Sequence, residues 1–225
     1  MDLHAIHQGF LRGVRAAGGK IMTDAEVVGL QRGGEGWTVE TKAGTWRAPV
    51  VINAAGAWAD TLAELAGVAP IGLVPKRRTA LTFDPPPDRP IDGWAAVIDV
   101  DEQFYFKPDA GKLLGSPADE TPVPPQDIQP EELDIALAVD RIEKAAQFSV
   151  GRIDHRWAGL RSFVDDKSIV IGEAQGAPGF LWLAAQGGYG IMTSPAAGRI
   201  AAAAALGEPF PEDIEDLGVS AADVG

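Results

Sequence analysis

Apolar residues recur along this chain in three rhythms, and each rhythm predicts a different element. Near the start, Leu3, Ile6, Phe10 and Val14 fall at steps of three and four, with Asp2 placed to cap and Gly18-Gly19 to stop, so residues 2–17 read as an amphipathic helix. Alternation then takes over. Ile21, Thr23, Ala25 and Val27, followed by Trp37, Val39 and Thr41, stand on either side of Gly33, Gly34 and Gly36, the pattern of an antiparallel hairpin. After a second turn at Ala43-Gly44 comes the third rhythm, the unbroken apolar run. Val50, Val51 and Ile52 behind Pro49 predict a central parallel strand, and Phe180 to Ala185 predicts a strand buried on both faces.

Both apolar runs stop at small residues. The first ends in Asn53, Ala54, Ala55, Gly56 ahead of a helix expected from about Ala59 to Ala66; the second meets Gly187, Gly188 and Gly190 ahead of a long alanine-rich helix, with Ser194 and Pro195 marking its start. At the carboxyl end of a buried parallel strand, such residues let a ligand approach the backbone. A glycine turn leading into a helix N-terminus also presents free N–H groups and partial positive charge, which suits an anion or the electron-rich edge of a flavin ring. Close packing of helix on strand, or a plain strand-to-helix turn, produces the same small residues, so both readings stand.

Between the two halves the texture changes. From Ile71 onward come short alternating runs and prolines: Leu73 to Phe83, Trp94 to Val100, Phe104 to Lys107 and Lys112 to Leu114, with turns at Asp101-Glu102 and Asp109 to Gly111. These predict an antiparallel sheet. A Pro- and acid-rich loop, Pro117 to Gln129, leads to a helix entered at Pro130 with Ile135, Val139, Ile142 and Ala146 on one side, and Gln147 to Phe163 reads as one or two returning strands. Ile169 to Ile171 is expected to pair with Phe180 to Ala185. The domain reading is a discontinuous α/β domain, residues 1–69 and 157–225, interrupted by an antiparallel insertion, residues 70–156, so that the whole is α+β.

Composition narrows the function. A formal net charge of -13, with no basic run longer than Lys76, Arg77, Arg78, opposes nucleic-acid binding, because phosphate contacts need clustered cations. The chain has no cysteine, which removes disulfides, thiolate catalysis and Cys-ligated metals. His4, His7 and His155 are too scattered for a metal set. No charge-free apolar window is long enough for a membrane span, and a cytoplasmic protein acting on a small molecule is the expectation.

Four strings in order, VVINAAGAWAD (Val50 to Asp60), FYFKPDAGKLLGSPADE (Phe104 to Glu120), WAGLRSF (Trp157 to Phe163) and QGGYGIMTSPAAGR (Gln186 to Arg199), give a chain-long resemblance to the D-amino-acid oxidase superfamily of FAD-dependent oxidoreductases. The D-arginine dehydrogenase branch is the most similar. The resemblance implies an FAD-binding Rossmann-like domain carrying an inserted antiparallel substrate domain, and oxidation of the amine of a D-amino acid, D-arginine-like, to an imine by hydride transfer to flavin. The family's G-x-G-x-x-G turn, which holds the FAD pyrophosphate, does not occur in this sequence. The chain is therefore expected to be a C-terminal portion of such an enzyme. The alternative to an active enzyme is an inactive fragment, or a subunit needing an N-terminal half, with self-association through an unpaired sheet edge a further expectation.

Carried over residue by residue, the resemblance makes Arg161 the arginine that clamps the substrate carboxylate, Tyr105 the tyrosine that assists it and Arg78 the arginine over the substrate, with Gly188 beside it. A guanidinium offers a carboxylate two parallel N–H bonds, which lysine cannot copy. For FAD, it places Val27 near the adenine, Ala54, Ala55, Gly56 and Trp58 near the diphosphate and ribityl chain, and Gly159, Gly187, Gly188, Tyr189, Gly190, Met192 and Thr193 around the isoalloxazine. Met192 departs from the glutamine that the D-arginine dehydrogenase likeness leads one to expect there. A salt-bridged surface arginine at Arg161, a core aromatic at Tyr105 and a solvated base at Arg78 are the plain structural alternatives.

Overall fold

The computed structural model describes residues 2–225. It divides into two compact units, one holding the chain up to Gly72 together with Val164–Gly225, the other Leu73–Phe163. The first unit begins with α1 (Leu3–Ala16), capped as expected by Asp2, whose carboxylate accepts from the Ala5 amide at 2.9 Å. Its apolar stripe is not buried: Leu3, Phe10 and Val14 are exposed. A hairpin of β1 (Val27–Gly33) and β2 (Gly36–Thr41) is extended by β3 (Gly44–Ala48) into a three-stranded antiparallel sheet.

The hairpin differs from the sequence pattern in its first arm. The strand does not occupy Ile21 to Val27 but starts where that alternation ends, and Gly34-Glu35 form the turn. A two-residue turn requires the arms to be of similar length, and only Val27–Gly33 matches Gly36–Thr41 in register, Leu30 lying opposite Val39 and Arg32 opposite Trp37. Gly36 is obligatory: at φ +126 its missing Cβ would stand 2.5 Å from the Ala48 carbonyl oxygen. Next comes β4 (Val51–Asn53), then a short 3-10 turn (Gly56–Trp58) and α2 (Ala59–Leu65).

The second unit is built on β5 (Val74–Phe83), β6 (Val97–Ile98), β7 (Tyr105–Asp109), β8 (Lys112–Ser116) and β9 (Ile153–Phe163), in the order β6-β7-β8-β5-β9, every pairing antiparallel. α3 (Glu132–Ala146) covers one face. Leu81, Phe83, Phe106 and Leu113 pack there against Ala138 and Ile142, which lie on one side of the helix at a spacing of four. Strand alternation sends Leu81, Gly115 and Phe106, aligned across three strands, to this helix side. The intervening residues face the other way.

The chain returns to the first unit through β10 (Val170–Glu173) and β11 (Phe180–Ala184), which pair antiparallel, and β11 pairs in parallel with β4. β11 is buried almost throughout, as its apolar run requires, and Phe180 meets Trp37 at a tilt and Trp182 edge-on. β4 is parallel but not central: it forms an edge of its three-stranded sheet, and Ile52 is exposed. An apolar run reports the capacity to be buried on both faces, not the presence of strands to do it. The last helices are α4 (Gly190–Leu206) and the short α5 (Glu212–Glu215), clamped together by the two hydrogen bonds from Arg199 to Asp213. α4 starts one turn before Ser194-Pro195. Ser194 donates back to the Ile191 carbonyl instead of capping, and so satisfies the acceptor that Pro195, inside the helix and without an amide hydrogen, leaves unbonded.

Candidate functional site

The face of the second unit that points away from α3 gathers the cations. Register places Lys76 of β5 directly opposite Arg161 of β9, and Arg78 opposite Gly159. Residues two apart on one strand share a face, so Lys76, Arg78 and Arg161 project together, and Gly159 leaves open space beside Arg78 because a Cβ there would meet nothing within 4 Å. Tyr105 points to the same side, since its neighbours Phe104 and Phe106 are the buried ones, and its hydroxyl lies near enough to Arg161 to raise the pKa of the guanidinium. The structure thus brings Arg161, Tyr105 and Arg78 together.

The charges in this cluster do not cancel. Glu120 accepts from Arg78 Nη2 at 3.0 Å and from Lys76 Nζ at 3.1 Å. Among the described residues no acid forms an ion pair with Arg161, and the buried Nε–H of Arg78 has no acceptor. Burial, followed by the like charge of Arg78, lowers the Arg161 pKa from its ordinary value, with Tyr105 and Glu120 opposing. A half-buried guanidinium with unused donors beside a second one is a site suited to a carboxylate.

The loop that carries Glu120 is fastened to β5 from both sides. The Arg77 amide donates to the Thr121 carbonyl at 2.9 Å and the Val123 amide to the Pro75 carbonyl at 3.0 Å. Asp119 accepts from the Thr79 amide at 2.6 Å and its hydroxyl at 3.0 Å. Behind the sheet the buried Arg77 pairs with Asp119, Glu131 and, at 2.9 Å, Asp134 of α3. Burial alone would lower the Arg77 pKa, but the Glu131 hydrogen bond and the surrounding carboxylates raise it; Asp134 is raised as well, by burial first. Sequence reasoning singled out neither Lys76 nor Glu120. Lys76 was legible as the strand neighbour of Arg78 at a spacing of two. Glu120 was not, because its partners lie 42 and 44 residues away.

In the first unit the residues expected to touch FAD cluster at one end of two strands. β4 and β11 run in parallel with Asn53 beside Trp182, so the segments after them leave from the same carboxyl edge. After β4, the buried Asn53 ties the turn: its Nδ2 donates to the Ala59 carbonyl at 2.8 Å and its Oδ1 accepts from the Ala55 amide at 3.3 Å. Ala54, Gly56 and Trp58 are exposed, and Gly56 has φ +59 with open space where a Cβ would stand. After β11, Ala185 and Gly187 are both left-handed, at φ +60 and +51, a conformation that strains alanine by about 1 kcal/mol. Gly188, Tyr189 and Met192 are exposed, and Thr193 donates its hydroxyl to the Tyr189 carbonyl at 3.0 Å inside α4. The first-turn amides of α4, which include Gly190 and Met192, have no intrahelical acceptor.

Exposed small residues and unused amides at neighbouring strand ends fit the flat ring and polar edge of a flavin. The fit is partial, for the sequence holds no glycine cradle for a pyrophosphate. Val27 opens β1, in the antiparallel sheet, and Gly159 belongs to β9 of the second unit. No helix among the described residues is long and apolar enough to cross a membrane, and no group of three or more His, Asp or Glu is placed to hold a metal ion.

Comparison with known proteins gives the family. Residues 1–204 match the model of the DAO family, described as FAD dependent oxidoreductase. Among solved structures, glycine oxidase from Geobacillus kaustophilus is similar at 22% identity and a TM-score of 0.71, over 86% of this chain and 51% of that one. L-proline dehydrogenase from P. horikoshii is similar at 24% identity and TM-score 0.71, over 84% and 51%. Iminodiacetate oxidase from Chelativorans sp. BNC1 is similar at 19% identity and TM-score 0.73, over 89% and 53%. The chain spans about half the length of each of these proteins. A family match that covers most of the sequence, on a fold shared with these three, is decisive: this chain belongs to the DAO family of FAD-dependent oxidoreductases.

Proposed function

We propose that the chain serves the oxidation of an amino acid's amine, with the substrate carboxylate held on the open sheet face by Arg161 and Tyr105 and with Arg78 alongside. The observation that carries this reading is the pair of guanidinium groups with unused donors, Arg161 without an acidic partner and Arg78 with a bare Nε–H, on one face beside Tyr105. Such donors are expensive to bury unless an acceptor arrives. The similar proteins are named for amino acids or related amines, which agrees with that acceptor being a carboxylate. A D-amino acid of the D-arginine kind is the narrower form of the proposal, and the four sequence strings support it.

Ala54, Ala55, Gly56 and Trp58, with Gly187, Gly188, Tyr189, Gly190, Met192 and Thr193, are the residues that would hold FAD; Val27 and Gly159 complete the proposed set. When bound, FAD supplies the acceptor for the two electrons and hydrogen lost from the α-carbon. The chain's own residues position the reactant. Two parallel N–H bonds from Arg161 fix the carboxylate plane, the Tyr105 hydroxyl fixes its rotation, and the orientation of the α-carbon follows. The scheme uses no general base from this chain.

The missing G-x-G-x-x-G favours a second reading, in which FAD binds only when another polypeptide supplies the pyrophosphate cradle. One experiment separates the two. FAD is added to the purified chain, the protein-bound flavin spectrum is recorded, and D-arginine and other amino acids are added without air. Bleaching that is lost in Arg161→Ala supports the first reading. Binding of FAD only after a partner is added supports the second. With a bound flavin, Arg161→Ala should weaken substrate binding by about 2 kcal/mol or more, roughly 30-fold. An unchanged affinity would refute the carboxylate assignment.

A further inference from the structure

We infer that the first unit carries a further small-molecule site, a cavity beside the C-terminal half of α4 that takes a compact apolar ammonium ion, an arylalkyl or branched alkyl amine. The inference goes beyond the carboxylate reading of the second unit and does not depend on it. The cavity, about 210 Å³, lies where α4, β10 and the C-terminal segment meet. Ile171, Ile200, Phe210 and Val224 line it, and none of the residues expected to hold FAD does. Its space comes from the alanine run of α4. Ala197, Ile200 and Ala201 pack in one cluster with Ile171, Ile214 and Val224, but one turn further on the helix offers only the methyls of Ala203 and Ala204. The opposite wall is fixed: the Val224 carbonyl accepts from the Ile171 amide at 2.5 Å, and Ser220 and Asp223 cap each other in the turn before it. An apolar cavity of about 150 Å³ is already large enough for benzene, so this one admits a six-membered ring with one or two further atoms.

Charge decides what those further atoms are. The cavity lies beside the carboxyl end of α4, where the helix dipole is negative and the last turn holds no basic residue. Glu208 lines it, and among the described residues no hydrogen bond or ion pair engages the Glu208 carboxylate. Residues 207–225 carry six Asp and Glu and no Lys or Arg, and the single cation of α4, Arg199, is already paired with Asp213. The negative potential at the mouth is therefore unopposed. An apolar pocket in such a field favours a cation with an apolar body over a neutral or anionic ligand of the same shape.

The test titrates the full chain, isotopically labelled at its Ala, Ile and Val methyls, with benzylamine, benzyl alcohol and benzoate, and follows the methyl shifts by NMR. Benzylamine should give saturable shifts at Ile171, Ala203, Ala204 and Val224 with a Kd of about 1 mM, the value that a ligand of this size reaches in a mostly apolar site. Because Glu208 is exposed, benzyl alcohol should bind only about three-fold more weakly, and benzoate more weakly still. Glu208→Gln should bring the amine and the alcohol together. Ala203→Leu, which fills the cavity, should weaken benzylamine by at least about ten-fold. If that variant fails to melt cooperatively, Ala204→Leu, at an exposed position of the same lining, takes its place with the same expectation. Shifts that do not saturate below about 10 mM, or that survive in the filled variant, overturn the site. Amine and alcohol that bind the wild type equally overturn its charge class.

Discussion

Removing the Asp119 side chain should unfasten the loop from β5, and the size of the effect can be worked from its contacts. Asp119 Oδ1 accepts from the Thr79 amide at 2.6 Å and Oδ2 from its hydroxyl at 3.0 Å, while the Asp119 side chain is only 7% exposed, so water screens little. Hydrogen bonds to a charged acceptor are worth about 1.5–3 kcal/mol, and an orphaned buried amide adds a comparable penalty. The third contact, to Arg77 Nε at 3.5 Å, contributes less: that Nε makes no hydrogen bond, and Arg77 keeps Glu131 and Asp134. Asp119→Ala should therefore destabilise the loop by about 3 kcal/mol, equivalent to roughly 100-fold in local opening. Asp119→Asn keeps an acceptor for the amide and should lose only about 1 kcal/mol. Hydrogen exchange with peptide-level mass spectrometry reads this directly, at the amides of Arg77, Thr79 and Val123, with the β1–β2 hairpin as internal control. Acceleration below about five-fold in Asp119→Ala, or equal acceleration in both units, would refute the reasoning.

Three further outcomes are expected. Gly115→Ala would place a Cβ 2.6 Å from Ile142 Cδ1 and 3.2 Å from Phe83 Cε1, costing about 1–3 kcal/mol in urea denaturation, and adding Ile142→Val should recover part of it. Gly36→Ala should be worse tolerated, because at φ +126 the new Cβ would stand 2.5 Å from a backbone carbonyl oxygen that cannot rotate away, and a far-ultraviolet melt should show the loss. Acid should weaken the first unit: hydrogen bonds from Arg199 hold Asp213 below its ordinary pKa and those from Ser220 do the same for Asp223, so their stabilisation is present above the unfolded value and is lost as pH falls through the folded one. Asp213→Asn should flatten the acid side of the melting-temperature profile, whereas Asp134 in the second unit, raised by burial, contributes with the opposite sign.

Local rules carried the sequence reading where the chain's neighbours in sequence are also its neighbours in space. Asp2 caps α1 because capping involves only the next three residues, and Phe180–Ala184 is buried because an apolar run has no exposed face to offer. Reading failed at boundaries set by distant partners. The first hairpin arm is fixed by where Gly36–Thr41 can pair, and the edge position of β4 by which strands lie beside it. The start of α4 was misplaced because Ser194 and Pro195 carry the signature of a helix entrance, whereas one turn inside the helix the Ser194 hydroxyl instead takes up the Ile191 carbonyl that the proline leaves without an amide. In the site, Arg161 and Tyr105 were named from motif strings and Arg78 from the family resemblance; the charge balance around them was beyond any local rule, since Glu120 reaches Arg78 only after β6, β7 and β8 have intervened.

That balance follows from a simple alternation. Arg77 and Arg78 are consecutive on β5, and Asp119 and Glu120 are consecutive on the loop bound alongside it, so each pair splits its charges between the two faces of one sheet. Behind the sheet, Arg77, Asp119 and Asp134 form a buried set joined by Glu131, in which the single cation is more than matched by acids. In front, the cations Lys76, Arg78 and Arg161 outnumber Glu120. A one-residue slip of the loop would exchange the two acids, burying Glu120 behind the sheet and leaving the shorter Asp119 before Arg78. The Asp119 contacts to Thr79 oppose that slip, so the structural network on one face is what keeps the electrostatics of the other in register.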